Sequence, residues 1–357
     1  MKLPDRQRVN EGFDRKVLKH IEKLELYRDV NARKVLEMGG GTLLISLPKG
    51  WARKNGVKKG STVAVDELSG RKLIVRPIEG NEDKPREVSV EYTGEDLAPV
   101  ISDITGAYLY GYDVIRTGGK KVISREDRMR LKATLSRLIG LEIMDEDSKH
   151  ITVQFLLEPS AISPERIVKR MSGILDGMIK DTSEAVEGND YKLMSLVAER
   201  DDEVDRLYFL LVRTIRTATI HPEIAETYSL APMDMLDYRV LASFLESVGD
   251  AIAELSKKLH GVKLQKQVAG EYASCLSLIR EMNELATQSF LMRRSGRSPE
   301  AYTRINDLSS RVSESLVRIT RVAEAKPPTV ETLGALERAS KLLVDISDLT
   351  VTARLVT

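Results

Sequence analysis

From residue 160 to the end of the chain, strand signals vanish and helix signals take over. Ser163-Pro164-Glu165 and Ser298-Pro299-Glu300 pair an N-capping serine with a proline suited to the first helical turn. Breaks fall at 188–189 (Gly-Asn), 221–222 (His-Pro), 261 (Gly), 295–298 (Ser-Gly-Arg-Ser) and 326–328 (Lys-Pro-Pro). They delimit six helices: 164–187, 190–219, 232–260, 265–294, 299–325 and 329–356. Helices of this length favour a bundle, because their stability comes from packing an amphipathic face. The central break divides the six into two three-helix repeats.

The segment 33–77 obeys a different pattern. RKVLEM and TLLIS read as strands around a Gly39–Gly41 turn. Pro48 opens a short helix that Gly56 ends. STVAVDEL and RKLIVRP are two more strands, joined by a Ser69-Gly70 hairpin turn. A β-β-α-β-β unit of about 45 residues is too small to bury a stable core alone. It therefore pairs with a second copy, as a homodimer.

Residues 78–85 are a polar linker, and 86–158 alternate strand and helix. Strands are expected at EVSVEY, YDVIRT, 141–145 and 150–157, and helices at 95–109 and 125–139. Thr93-x-x-Asp96 and Ser124-x-x-Asp127 have the form of capping boxes. The segment reads as a small α+β domain with a split βαβ arrangement. Residues 1–30 form a charged arm in which Phe13, Val17, Ile21 and Leu24 recur at helical spacing, so it is a flexible arm or a docking helix. The division is thus 1–30, 31–78, 86–158 and 160–357, a multidomain α+β protein.

Composition narrows the function. No apolar run approaches the roughly 18 residues of a membrane span, so no membrane insertion is expected. The charged N-terminus lacks the apolar stretch of a secretory signal, and a cytoplasmic location follows. The lone Cys275 cannot form an internal disulfide, and with four His a thiolate zinc finger is excluded. No Ser/His/Asp, Cys/His or Walker pattern is present, so no catalytic residues are assigned and an enzyme is not expected.

The net charge of +1 conceals a strong asymmetry. Residues 1–77 hold 18 Lys+Arg against 9 Asp+Glu, and the remainder 37 against 45. The segment 33–76 alone has ten basic and three acidic residues, and Pro48–Lys59 has no acid at all. Such a basic part suits a polyanion, with phosphate contacts supplying affinity and arginines on base edges supplying specificity. Trp51 reads as a dimer-core anchor.

The run RKVLEMGGGTLLISLPKGWARKNGVKKGSTVAVDELSGRKLIVRP resembles the AbrB/SpoVT/MazE family. The likeness lies in its first strand, its LISLPK-x-W step, its G-V-K-K-G turn and its final hairpin. It implies a small swapped-hairpin β-barrel dimer that binds double-stranded DNA. Carried over by position, the DNA-binding candidates are Arg33, Lys34, Lys49, Arg53 and Lys54.

The helical half carries two acidic pairs at i, i+4, Asp201/Asp205 and Glu246/Asp250. Leu241, Phe244, Val248, Ile252, Leu255 and Leu259 mark the buried stripe of the second helix, and its acids point well away from that stripe. They lie outside the bundle or in a groove between repeats. Carboxylates converging from adjacent helices can hold hard cations. The stretches ERDDEVDRLYFLLVRTI and DYRVLASFLESVGDAIAELSKKL resemble the PhoU family of phosphate-uptake regulators. This implies a six-helix PhoU-like bundle whose E/D-x-x-x-D motifs carry metal. Here a divalent or iron-type ion would sit on the first repeat, on Asp201, Asp205, Glu246 and Asp250. The second repeat departs, with Val344 and Arg311 where acids are expected.

Together the resemblances are to archaeal phosphate-uptake regulators: a DNA-binding transcriptional regulator whose bundle answers to a metal, phosphate status or a partner. The alternative is an accessory protein that docks on phosphate transport or signalling proteins, such as a sensor kinase, and uses the barrel to dimerise. An antitoxin-like module ranks last, because antitoxins carry a short disordered tail and this chain has a long folded half.

Overall fold

The computed structural model describes residues 33–68, 72–78, 85–158, 161–293, 299–323 and 327–352. They fall into two compact units that divide before Pro85. The arm 1–30, the Ser69-Gly70 turn and most of the linker lie outside the described residues.

In the first unit, β1 (Leu36–Met38) and β2 (Thr42–Leu44) form an antiparallel hairpin. Gly40 and Gly41 make its turn at φ of +90° and +88°, a conformation that only glycine adopts cheaply. Helix α1 (Lys49–Lys54) follows, and Gly56 closes it at φ +66°. β3 (Val63–Leu68) and β4 (Lys72–Pro77) form a second hairpin. Within one chain the two hairpins are separate two-stranded sheets, and neither is stable alone in water. No residue of this unit whose side chain is described is buried. Leu36, Met38, Leu43, Ile45, Val65 and Leu73 are all exposed. The first two strands are shorter than their sequence suggests, since Val35 and Ile45 find no pairing partner within the hairpin.

The second unit opens with a four-stranded sheet in the order β5-β6-β8-β7. It comprises β5 (Glu87–Glu91), β6 (Val114–Gly118), β7 (Leu141–Glu146) and β8 (His150–Phe155). Helix α2 (Leu97–Leu109) links β5 to β6, and α3 (Arg125–Arg137) precedes β7. Val90, Ile104, Tyr108, Ile115, Leu131 and Val153 are buried in its core. The expected split βαβ is not formed. β5 and β6 pair directly in parallel, and β8 adds to the far side of β6 instead of inserting between them. Buried Ile115 thereby gains Val88 on one side and Val153 on the other. The first capping box is also corrected. Asp96 is itself the N-cap and accepts from Ala98 N at 2.9 Å. Ser124 does cap α3, but Asp127 accepts from the Tyr92 hydroxyl at 2.6 Å.

The rest is helical: α4 (Pro164–Gly188), α5 (Tyr191–Ile220), α6 (Pro222–Thr227), α7 (Pro232–Leu259), α8 (Lys266–Met292), α9 (Pro299–Val322) and α10 (Pro327–Thr352). Asn189 in the left-handed region ends α4, and the Asp190 carboxylate caps α5. The single turn α6, starting at Pro222, is extra to the six expected helices. Helices α4, α5 and α7 pack on one another, as do α8, α9 and α10. The triplets join through α4 against α8 and α7 against α10, first helix on first and third on third. Helix α5 is left on the outside, where α2 and α3 pack on it. It is therefore the shared wall between the bundle and the α+β layer.

Candidate functional site

Asp201 and Asp205 stand one turn apart on α5 and so share a face. Asp250 reaches them from α7, the helix packed alongside. One oxygen from each of the three lies within 4.8 Å of the others. Gly249 eases the approach. A Cβ there would stand 3.1 Å from Asp201 Oδ1, between Leu175 and Val204. Asp201 Oδ1 is sealed from solvent and has no hydrogen-bond partner.

Crowded, half-buried carboxylates resist ionisation together. Burial, then Asp250 and Asp205, push the Asp201 carboxyl up to about 7, while Lys257 opposes them. Burial also raises Asp205, against the pull of Arg137. Glu246 borders the group without joining the triad. It is raised by burial and by Asp250, and its Oε2 accepts from the Ser247 hydroxyl at 3.2 Å. An all-oxygen set of this kind suits a hard cation, which would relieve the mutual repulsion. Beside it lies a cavity of about 640 Å³ whose wall includes Asp201, Ser247, Asp250, Lys257 and Arg338.

Arg137 joins this group without any sequence signal. It donates from Nη2 to Asp205 Oδ2 at 2.8 Å and lies 3.3 Å from Asp202 Oδ1. It stands 68 residues before Asp205, in the α+β layer, and no local spacing connects the two. Gly249, by contrast, sits inside the Glu246–Asp250 motif, where a mid-helix glycine is a legible sign of close packing. The second repeat shows no such triad among the described residues. Asp307 there accepts from Arg304 at 3.2 Å.

The first unit presents a basic surface. Arg33, Lys34, Lys49, Arg53 and Lys54 are all exposed. Lys49 and Arg53 share a face of α1, which has no acid in its first turn. Trp51 is half-buried, and its carbonyl accepts from Asn55 Nδ2 at 2.9 Å.

Residues 168–259 match the family model described as the PhoU domain. The helical bundle is PhoU-like. The matched span contains all four acids named from the sequence. Residues 38–83 match the model described as antidote-toxin recognition MazE, bacterial antitoxin. The chain thus joins a MazE/AbrB-like domain to a PhoU domain. Among solved structures, the crystal structure of PhoU from Pseudomonas aeruginosa matches at 16% identity and a TM-score of 0.43, covering 54% of this chain and 96% of that one. No curated protein was found to match the chain. Among the described residues no helix is long and apolar enough to cross a membrane.

Proposed function

We propose that this protein is a cytoplasmic, DNA-binding transcriptional regulator of phosphate uptake or metabolism, without enzymatic activity, in which a PhoU-like bundle senses a signal for a dimeric DNA-binding unit. The observation that carries the reading is that no described side chain of the first unit is buried. Its hairpins offer Leu43, Val65 and Leu73 to solvent, while Lys49, Arg53 and Lys54 sit on α1. Intertwining with a second copy would bury the apolar faces in a swapped-hairpin barrel and double the basic surface. Arg33, Lys34, Lys49, Arg53 and Lys54 then meet duplex phosphates and bases. In the bundle, Asp201, Asp205 and Asp250, with Glu246 beside them, hold a divalent or iron-type cation. The PhoU-domain match supports the phosphate part of the reading.

The test is a titration on duplex DNA at several salt concentrations. Affinity is expected to fall steeply with salt. Lys49→Glu, Arg53→Glu or Lys54→Glu should reduce it, flattening the logarithmic slope by about one for each phosphate no longer neutralised. Absent or salt-insensitive binding would favour an accessory protein that docks on transport or signalling proteins. Mapping of bound promoters in phosphate-rich and phosphate-starved cells then tests the regulated pathway, with enrichment at phosphate-transport promoters expected.

A further inference from the structure

Apolar packing, including Phe209 of α5 against the α+β core, holds the α+β layer on the bundle, and two arginine contacts add to it at different depths. One is sealed. Arg213, 3% exposed, donates from Nη1 to the carbonyls of Tyr108 and Tyr112, each at 2.8 Å. The other is open to water. Arg137, the last residue of α3 and 48% exposed, reaches Asp205 and Asp202. Asp205 also belongs to the carboxylate triad. The same carboxylate thus serves as the partner of an arginine in the α+β layer and as a candidate ligand of a cation. A guanidinium and a dication cannot both lie against it without strong like-charge repulsion.

We propose that Arg137 is a built-in counter-ion of the carboxylate cluster, and that a divalent cation entering between Asp201, Asp205 and Asp250 displaces it and frees the end of α3 from α5. The inference rests on the reading of the cluster as a cation site and specifies how that site is regulated. The unpartnered, solvent-sealed Asp201 Oδ1 is the atom that the internal counter-ion leaves unserved. Arg137 satisfies Asp205 from the rim, whereas a cation would also reach Asp201. Once displaced, Arg137 retains Asp202, but an exposed pair of that kind contributes little to holding a helix.

The sealed attachment then becomes a pivot. Eight residues separate Asp205 from Arg213, a rise of about 12 Å along α5. Asp113 ties this pivot to the start of the second unit. Its Oδ2 accepts from Arg86 N at 2.8 Å, and its Oδ1 lies 3.4 Å from Arg213 Nη2. Arg86 directly follows the segment that leads out of the basic unit. Release of Arg137 therefore loosens the α+β layer at its far end while the entry point of the chain stays pinned.

The experiment uses the full chain and Mn²⁺. Wild type and Arg137→Gln are titrated by calorimetry, and amide hydrogen exchange is followed with and without the metal. The glutamine variant should bind Mn²⁺ about five- to tenfold more tightly, since no internal cation competes. In wild type, Mn²⁺ should slow exchange around residues 200–206 of α5 and speed it around 134–140. Equal affinities within twofold, or slowing at both segments, would overturn the displacement while leaving the cation site standing. Failure of both proteins to bind Mn²⁺ would overturn the cation site and the displacement together.

Discussion

The guanidinium of Arg213 lies 3.8 Å from the ring centroid of Phe155, stacking a bundle helix on the last strand of the α+β layer. Burial holds this arginine down to about 10, and it still finds two carbonyls and the Asp113 carboxylate. Replacing it with alanine would strand the buried Tyr108 carbonyl and empty the space against Phe155. Arg213→Ala is expected to lose about 3 kcal/mol of stability. Urea unfolding measures the loss, and limited proteolysis should show 85–158 cut before the bundle.

A second prediction concerns the exposed strands of the first unit. Leu43 is 68% exposed in the single chain. An aspartate at such a position is near neutral in a monomer, within about 0.5 kcal/mol. In an intertwined dimer the same change buries a charge against apolar neighbours. Leu43→Asp is therefore expected to turn a dimer into a monomer in sedimentation and to abolish DNA binding, with the bundle's helical signal unchanged.

The third concerns pH. The Asp201 carboxyl, raised to about 7 from its ordinary 3.8, holds its proton more tightly folded than unfolded. Asp250, Asp205 and Glu246 face it with like charge, and Lys257 opposes them. The metal-free fold therefore loses stability from this group as pH rises from about 4 through about 7. Asp201→Asn removes that loss. Its advantage over wild type should be absent at pH 4 and reach about 1 kcal/mol above pH 7, a value discounted for a half-exposed group. Urea midpoints with chelator at four pH values read the curve. Divalent-cation affinity should run the other way, rising with pH as the carboxyl ionises.

The six long helices are legible because their punctuation is local: Pro164, the Gly188-Asn189 step and Gly261 act within a turn of themselves. The single turn after His221 is harder to read, because a proline that stops one helix can also begin the next. The βαβ connection escapes the sequence for another reason. Strand order depends on which edge of β6 the last strand joins, and that choice is made by long-range burial of Ile115.

By itself the sequence determined what lies near in the chain: hairpins and a basic helix too small to stand alone, capped helices after 160, and the two acidic pairs. Spacing along one element sets these, and helical and strand periods translate it directly into faces. Tertiary structure alone decided that Asp201, Asp205 and Asp250 share one point, that Gly249 eases their approach, and that Arg137 completes the charge from another layer. Those contacts join residues tens of positions apart. Their geometry comes from how whole helices pack, which no local spacing encodes.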